Sequence, residues 1–461
     1  MSSGGTKRKL QDSIVLNKGR TRKKIHEDPS YVFLETIHEK KLDFDSEKRC
    51  CVTLSRINCY CCLVCGKYFQ GRQENTPAFL HSVNDNHHVF INFNSLRVYL
   101  LPDDVEVEDG GRIQIISRIR NSIRPHFNKE EIAGFPELCL DLNNQEYTNG
   151  FVGFNNNTSG NDAFNVVLLL LSHVMPVRNF LLLDNTDHDD ELIKRLAVII
   201  RKLWSTKLFK PYVSSEELLA YISVAEKNIL DQVHDPRQLL LWLVNTLANR
   251  SPRLKKILSS SCQGTVKITS TPVASVFDKK GDFVEFRSKI EEQKEVIHSY
   301  CCLTLDLPPY PLFKDNRNAN DLPQIAIEYL LSKFNGTQEQ EVAQGLRKYR
   351  LIKVPQYLIL HFNRFDKNAS QPVKSRNQTL VEFSHSLELQ NSTYTLIANV
   401  VHNAVKSAAV EDDEMSTWKI QLLNPHNEQW TELDGPSRRL KESELLFLQE
   451  TYIQVWRKDS T

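Results

Sequence analysis

The stretch Gly264-Thr265-Val266-Lys267-Ile268-Thr269 marks the point at which the hydrophobic period of the chain changes. Here apolar and polar residues alternate, as on the two faces of a pleated strand. Before it the pattern is helical: Asp190 to Trp204, Ser214 to Ile229 and Pro236 to Ala248 repeat apolar residues at intervals of three and four. After it come Cys302-Leu-Thr-Leu-Asp-Leu307, Tyr357-Leu-Ile-Leu-His-Phe362, Tyr394 to Val401, Trp418 to Leu423 and Tyr452 to Trp456, which read as strands. Helices first and strands afterwards predict an α+β architecture, since alternating strands and helices would have implied a parallel sheet.

A chain of 461 residues exceeds one ordinary core, and about 150 residues per domain suggests two or three. Hydrophobic residues at 40% and charged residues at 25% are those of a globular protein. Lys and Arg number 58 against 57 for Asp and Glu, so the net charge of +1 excludes any global pull toward nucleic acid or an acidic membrane. No apolar run approaches the ~18 to 20 residues that cross a bilayer. The best, Val166 to Leu171, stops at Ser172 and His173. The opening residues lack the apolar core of a secretory signal. A soluble protein without a membrane partner, in a reducing compartment, is expected. Six of the ten cysteines (Cys50, Cys51, Cys59, Cys61, Cys62, Cys65) share one short segment, which reads as metal binding rather than as disulfides.

Residues 1–25 carry Lys7, Arg8, Lys9, Lys18, Arg20, Arg22, Lys23 and Lys24 against Asp12 alone, without helix or strand period, and predict a basic disordered tail. Its two clusters resemble a bipartite nuclear import signal; a solvated tail that touches RNA is the alternative. Residues 26–130 predict a compact α+β module in which His88 to Phe93 and Leu96 to Leu101 form a strand pair. Residues 131–461 form the remainder.

Within the module, Cys62-x2-Cys65-x15-His81-x5-His87 offers two thiolates from a knuckle and two imidazoles from a following helix. Four such ligands assemble a closed tetrahedral zinc site, with no open position to activate water, so the metal would be structural. A nucleic-acid-reading finger is the competing interpretation of this spacing. It is disfavoured because Pro77 to Asn86 contains neither Lys nor Arg to contact bases or phosphates.

Cys62-Leu-Val-Cys65-Gly-Lys-Tyr-Phe-Gln-Gly-Arg72, with His81 and His87-His88 behind it, resembles the zinc-finger module of ubiquitin-specific proteases. Many members of that family hold further zinc through a second ligand set. Here Cys50 matches that set, but Thr53, Gln70 and Pro77 occupy its other positions, so the second site is expected to be missing. Arg72 matches an arginine that in the family helps bind the carboxyl tail of ubiquitin. Gln73 stands where an aromatic residue is usual, so ubiquitin binding is expected to be weak or absent and Arg72 an ordinary surface cation.

Val354-Pro-Gln-Tyr-Leu-Ile-Leu-His361-Phe-Asn-Arg364-Phe365 and Tyr394-Thr-Leu-Ile-Ala398-Asn-Val-Val-His402 are similar to two strands of the same family's catalytic domain. Gly150-Phe-Val-Gly-Phe-Asn-Asn, leading to the helix that carries Asn165, resembles its nucleophile box, with one residue inserted within 155–160. The resemblance implies a papain-like cysteine-protease fold with thumb, fingers and palm. Such chemistry needs a thiolate at a helix amino terminus and an imidazole to take its proton. Registering from Asn165 places Asp162 at the nucleophile position, where a carboxylate can cap Ala163 and the apolar helix for ~1 kcal/mol. Met415-Ser-Thr417-Trp418 places Thr417 where the base belongs, and a hydroxyl cannot relay a proton near neutral pH. His402 is expected to be a structural hydrogen-bonder, and Asp434, matching the third catalytic position, has no imidazole to orient. Cys139, Cys262, Cys301 and Cys302 do not sit at predicted helix starts. Of the family's two CxxC pairs in the fingers only Cys262 and Cys301-Cys302 remain, so that zinc is expected to be absent.

Loss of nucleophile and base with the zinc module and basic tail retained resembles one branch of the family: catalytically inactive homologues associated with the spliceosomal tri-snRNP. Leu305 to Asp315, Lys333-Phe-Asn-Gly336, Asn155-Asn156 with Asn161-Asp162, and Tyr452 to Trp456 carry that likeness. It implies a nuclear, non-catalytic scaffold for pre-mRNA splicing that binds the large scaffold and helicase proteins of the tri-snRNP. The zinc module and the 308–320 loop are the expected docking elements. The rival readings are a deubiquitinase using another cysteine, an inert reader of ubiquitin tails, and direct RNA contact by the tail.

Overall fold

The computed structural model describes residues 29–45, 47–107, 113–155, 160–183, 190–226, 229–232, 234–277, 283–309, 323–342, 345–366, 373, 375–406 and 414–459. The basic tail, the insertion within 155–160 and most of the 308–320 loop lie outside them. The chain divides into two compact units, one reaching Pro125 and including 141–145 and 207–209, the other comprising the rest.

The first unit is built on a five-stranded sheet of β1 (Cys59–Cys62), β2 (Tyr68–Gln70), β3 (Val89–Asn92), β4 (Val98–Leu100) and β5 (Val105–Glu106), in the order β2-β1-β3-β4-β5. The expected strand pair is β3 with β4, antiparallel, with Phe90 opposite Tyr99. Helix α1 (Pro77–Asp85) begins with a proline, whose missing N–H would have had no partner in the first turn. It stops where Asn86 takes a left-handed conformation, φ 58°. Helix α2 (Gln114–Ile123) turns Ile116, Ile119 and Ile123 inward at helical spacing, onto a core shared with Ile91 and Val98.

The second unit opens with helices α3 (Asp162–Ser172), α4 (Met175–Leu183), α5 (Glu191–Leu203), α6 (Glu216–Ala225), α7 (Pro236–Arg250) and α8 (Pro252–Ser261). Side chains supply several starts: Asp190 accepts from Leu192 N–H, Asp235 from Arg237 N–H and Ser251 from Leu254 N–H. Every residue of α3 from Ala163 to Ser172 is buried, so this helix is apolar all round rather than amphipathic. It meets α4 at an 88° bend, and no single described helix is long and apolar enough to cross a membrane.

The strand half follows, as the change of period predicts. Strands β6 (Gly264–Phe277), β7 (Phe283–Ser288), β8 (Lys294–Tyr300), β10 (Asn335–Val342) and β11 (Gly345–Lys353) form a sheet ordered β7-β6-β11-β10, with β8 also paired to β6. Strands β9 (Cys302–Asp306), β12 (Tyr357–Asn363), β13 (Ser386–Leu389), β14 (Ser392–Lys406), β15 (Glu414–Leu423), β16 (Trp430–Asp434), β17 (Ser437–Lys441) and β18 (Glu450–Lys458) form the larger sheet. Its order is β9-β12-β18-β14-β15-β16-β17, with β13 on β14, and only β9 and β12 run parallel. Tyr357 to Phe362 are buried on both faces, which is why this strand reads as a continuous apolar run. Arg364, just beyond, is 2% exposed and donates to the carbonyls of Thr451, Asn377 and Thr379. Burial among neutral acceptors pushes its guanidinium down to about 10. The motif arginine thus ties β18 to the segment that follows β12.

Candidate functional site

In the first unit the ligand atoms of Cys62, Cys65, His81 and His87 all lie within 4.8 Å of one another. Cys62 ends β1, Cys65 sits in the turn after it, and His81 lies on the buried face of α1. His87 is not on the helix, contrary to the expectation of two helical imidazoles: the left-handed Asn86 ends α1 first and turns the next residue back toward the sulfurs. Cys65 Sγ is 3.4 Å from His81 Nε2, and His87 Nδ1 is 3.0 Å from the same nitrogen. These separations are near the edges of a tetrahedron drawn with zinc–ligand bonds of about 2.0 to 2.3 Å. His81 Nδ1–H donates to Asp85 Oδ2 at 2.6 Å, so Nε2 presents a lone pair to the cluster. The hydrogen bond from Cys62 lowers the pKa of the Cys65 thiol. The donor set fits zinc, and the module is a zinc finger. The supporting acid does carry a sequence signal: Asp85 lies four residues after His81 on one helix face.

Cys50 lies in the same unit, and its sulfur accepts the N–H groups of Val52 and Thr53 at 3.4 Å. Thr53 Oγ1 donates to Gln70 Oε1 at 2.8 Å. Three of the positions named for a second ligand set, Cys50, Thr53 and Gln70, are therefore linked to one another. Arg72 is not a plain surface cation: its guanidinium lies 4.3 Å over the Tyr99 ring and pairs with Asp104.

In the second unit, Asp162 and Thr417 come together at the junction of α3 and β15. The Asp162 carboxylate meets the Ala163 amide as expected, but from inside the helix rather than from the cap position. Asn161 takes the cap position without a side-chain bond, Asp162 is the first helical residue, and its Oδ2 accepts the backbone N–H of Trp418 at 2.7 Å. Burial raises its pKa, opposed by that bond and by the Ala163 amide. Thr417 faces Asn403 across the sheet and donates to its carbonyl at 3.0 Å. Asp434 pairs with Lys419 Nζ at 3.0 Å rather than with any imidazole. The backbone of the Gly150–Asn155 segment runs so close to the turn after Asp434 that a Cβ at Gly153 would meet Gly435 O at 1.9 Å.

His402, opposite Trp418, donates from Nδ1 to Glu450 Oε2 at 2.9 Å and has Ser416 Oγ 2.9 Å from Nε2. Arg376 clamps the same carboxylate at 2.9 and 3.0 Å. Against the cost of burial, His402 and Arg376 hold the Glu450 carboxyl down to about 2. Neither Glu450 nor Arg376 had a sequence signal, since each meets His402 only through sheet pairing or a long connection. Among the described residues the sulfur–imidazole contacts belong to Cys65. Burial pushes Cys262 up to about 12, Cys301 to about 11 and Cys302 to about 12, and raises Cys139, the opposite of what a nucleophilic thiol needs.

Two family models match the chain: "Zn-finger in ubiquitin-hydrolases and other protein" over residues 49–111, and "Ubiquitin carboxyl-terminal hydrolase" over residues 152–435. The pre-mRNA-splicing factor SAD1 of Saccharomyces cerevisiae is 44% identical over 440 residues, 94% of this chain and 94% of that protein. The probable mRNA-splicing protein ubp10 of Schizosaccharomyces pombe is 37% identical, covering 93% of this chain and 88% of its own. A solved structure described as an essential yeast splicing factor superposes with a TM-score of 0.81 at 44% identity, over 93% of this chain and 100% of that one.

Proposed function

The chain belongs to the ubiquitin carboxyl-terminal hydrolase family, and from that premise we propose that it is a non-catalytic member acting in pre-mRNA splicing. In this reading it is a nuclear scaffold that binds and stabilises the tri-snRNP through its large scaffold and helicase proteins. Residues 26–130 are the zinc-finger domain with Cys62, Cys65, His81 and His87 as ligands, 131–461 the inert protease-like domain, and 1–25 the import tail. Asp162, Thr417 and Asp434 stand at the degenerate catalytic positions.

The observation that carries the reading is the Asp162–Trp418 bond at the junction of α3 and β15. Acyl transfer requires a thiolate there and an imidazole beside it. A carboxylate already bound to the Trp418 amide, next to a threonine bound to the Asn403 carbonyl, offers neither the thiolate nor the imidazole. The names of the two splicing relatives, matched over nearly the full chain, support the cellular role.

Affinity purification of the tagged full chain from nuclear extract, followed by mass spectrometry, tests it. Tri-snRNP proteins are expected in the eluate, and the purified protein is expected not to hydrolyse a ubiquitin carboxyl-terminal amide. Turnover abolished by one cysteine substitution, or recovery of ubiquitin conjugates without splicing proteins, would overturn the proposal.

A further inference from the structure

At the end of α3 remote from Asp162, roughly 16 Å along the helix axis, the helices and the larger sheet line an open cavity of about 480 Å³. Its size is that of a small-molecule site. Trp204, Trp430 and Phe151 supply flat apolar walls. Trp204 is fixed from behind by Gly150, whose φ is +79° and whose Cβ, if present, would lie 2.7 Å from the indole.

Two half-buried guanidiniums face this space without an anion. Arg178 lies 4.3 Å over the Trp204 ring, and its side-chain hydrogen bonds go to the neutral Asn179 amide at 3.0 and 2.9 Å. Arg457 makes no side-chain hydrogen bond or ion pair among the described residues, and Glu428, the acidic side chain in the cavity wall, pairs with neither arginine. Two further polar atoms at the cavity, His173 Nε2 and His385 Nδ1, have no partner, and the hydroxyl of the fully buried Tyr357 has only the Met175 amide beside it, which leaves its own proton to donate. His173 donates from Nδ1 to Leu169 O at 2.9 Å, so its orphan Nε2 is an acceptor. Burial pushes that imidazole down to about 4, which keeps it neutral at physiological pH.

Desolvated cations require a counter-charge, and buried donors and acceptors require partners. Guanidiniums suit a phosphate dianion, and indole walls suit a planar ring. We propose that this cavity binds a small molecule that joins a phosphate to a flat ring, of nucleoside monophosphate size. Arg178, Arg457 and the Tyr357 hydroxyl take the phosphate, Trp204 and Trp430 take the ring, and His173 Nε2 accepts from a hydroxyl or amino group of the ligand. The site shares no residue with the Asp162 junction, so it stands or falls separately from the scaffold reading.

Calorimetric titration of the full chain with AMP, UMP, adenosine and inorganic phosphate tests the site. Saturable binding of at least one monophosphate is expected, with adenosine and phosphate each at least tenfold weaker. Arg457→Gln should weaken that binding at least tenfold while its thermal unfolding midpoint stays that of the parent. Arg178→Lys, which keeps the charge but loses the fork, should weaken it severalfold. Absence of saturable binding by both monophosphates at millimolar concentration, adenosine binding as tightly as AMP, or unchanged affinity in Arg457→Gln would overturn the proposal.

Discussion

The Cys62–His87 cluster and the Asp162–Thr417 junction both gather residue types that carry chemistry, but they use their polar atoms in opposite ways. In the cluster, four donor atoms point at one another and the fold supplies only an orienting acid, Asp85. At the junction each polar group already has an internal partner: Asp162 the Trp418 amide, Thr417 the Asn403 carbonyl, Asp434 the Lys419 ammonium, His402 the Glu450 carboxylate. Donors left converging are built for something that arrives. Groups already paired inside the molecule hold the fold together.

The largest expected effect concerns the cluster. Stripping zinc, or Cys62→Ser, should remove a folding contribution on the order of 10 kcal/mol from the first unit. The chelated protein should lose an unfolding transition while the second unit melts as before. Unchanged melting without metal would erase the contrast between the two regions.

The next effect lies in the network around His402. Glu450 is depressed from 4.5 to about 2. A lowered carboxyl stabilises the fold above its unfolded value, and that stability is lost as pH falls from 4.5 toward 2. The shift corresponds to about 3 kcal/mol. Glu450→Gln should lower stability at pH 7 by about that amount and flatten the acid limb of a urea-unfolding series.

Asp162 has the opposite sign. Its carboxyl is raised from 3.8 by burial, so the charged form is penalised as pH rises through the folded value. Asp162→Asn, which retains an acceptor for Trp418 N–H without the charge, should be at least as stable as the parent at pH 7. Asp162→Ala should cost about 1 kcal/mol by leaving that amide unbonded. If both variants unfold alike, the Trp418 bond is not what holds the junction. At the small end, Asp162→Cys should leave ubiquitin-amide hydrolysis at background, because the neighbouring Thr417 hydroxyl, committed to Asn403 O, cannot relay a proton, and Thr417→Val should change stability by less than about 0.5 kcal/mol.

Much of this was readable in the sequence because period is a local property. The run from Tyr357 to Phe362 and the alternation after Gly264 appear where they were expected, and Pro236 and Asp235 start a helix as their chemistry predicts. The clustering of Cys62, Cys65, His81 and His87 was legible for the same reason, since knuckle and helix are close in sequence. What failed was end geometry and distant pairing. The helix starts at Asp162 rather than after it, and its carboxylate reaches across to the Trp418 amide as well. His87 left the helix because Asn86 went left-handed. Glu450 and Arg376 join His402 only when β14 and β18 lie side by side.

One consequence follows from α3, whose residues from Ala163 to Ser172 are sealed from solvent on every side. Such a rod is held by the shape of its surroundings, so exchanging the group at its tip leaves the packing demand of the ten residues behind it untouched.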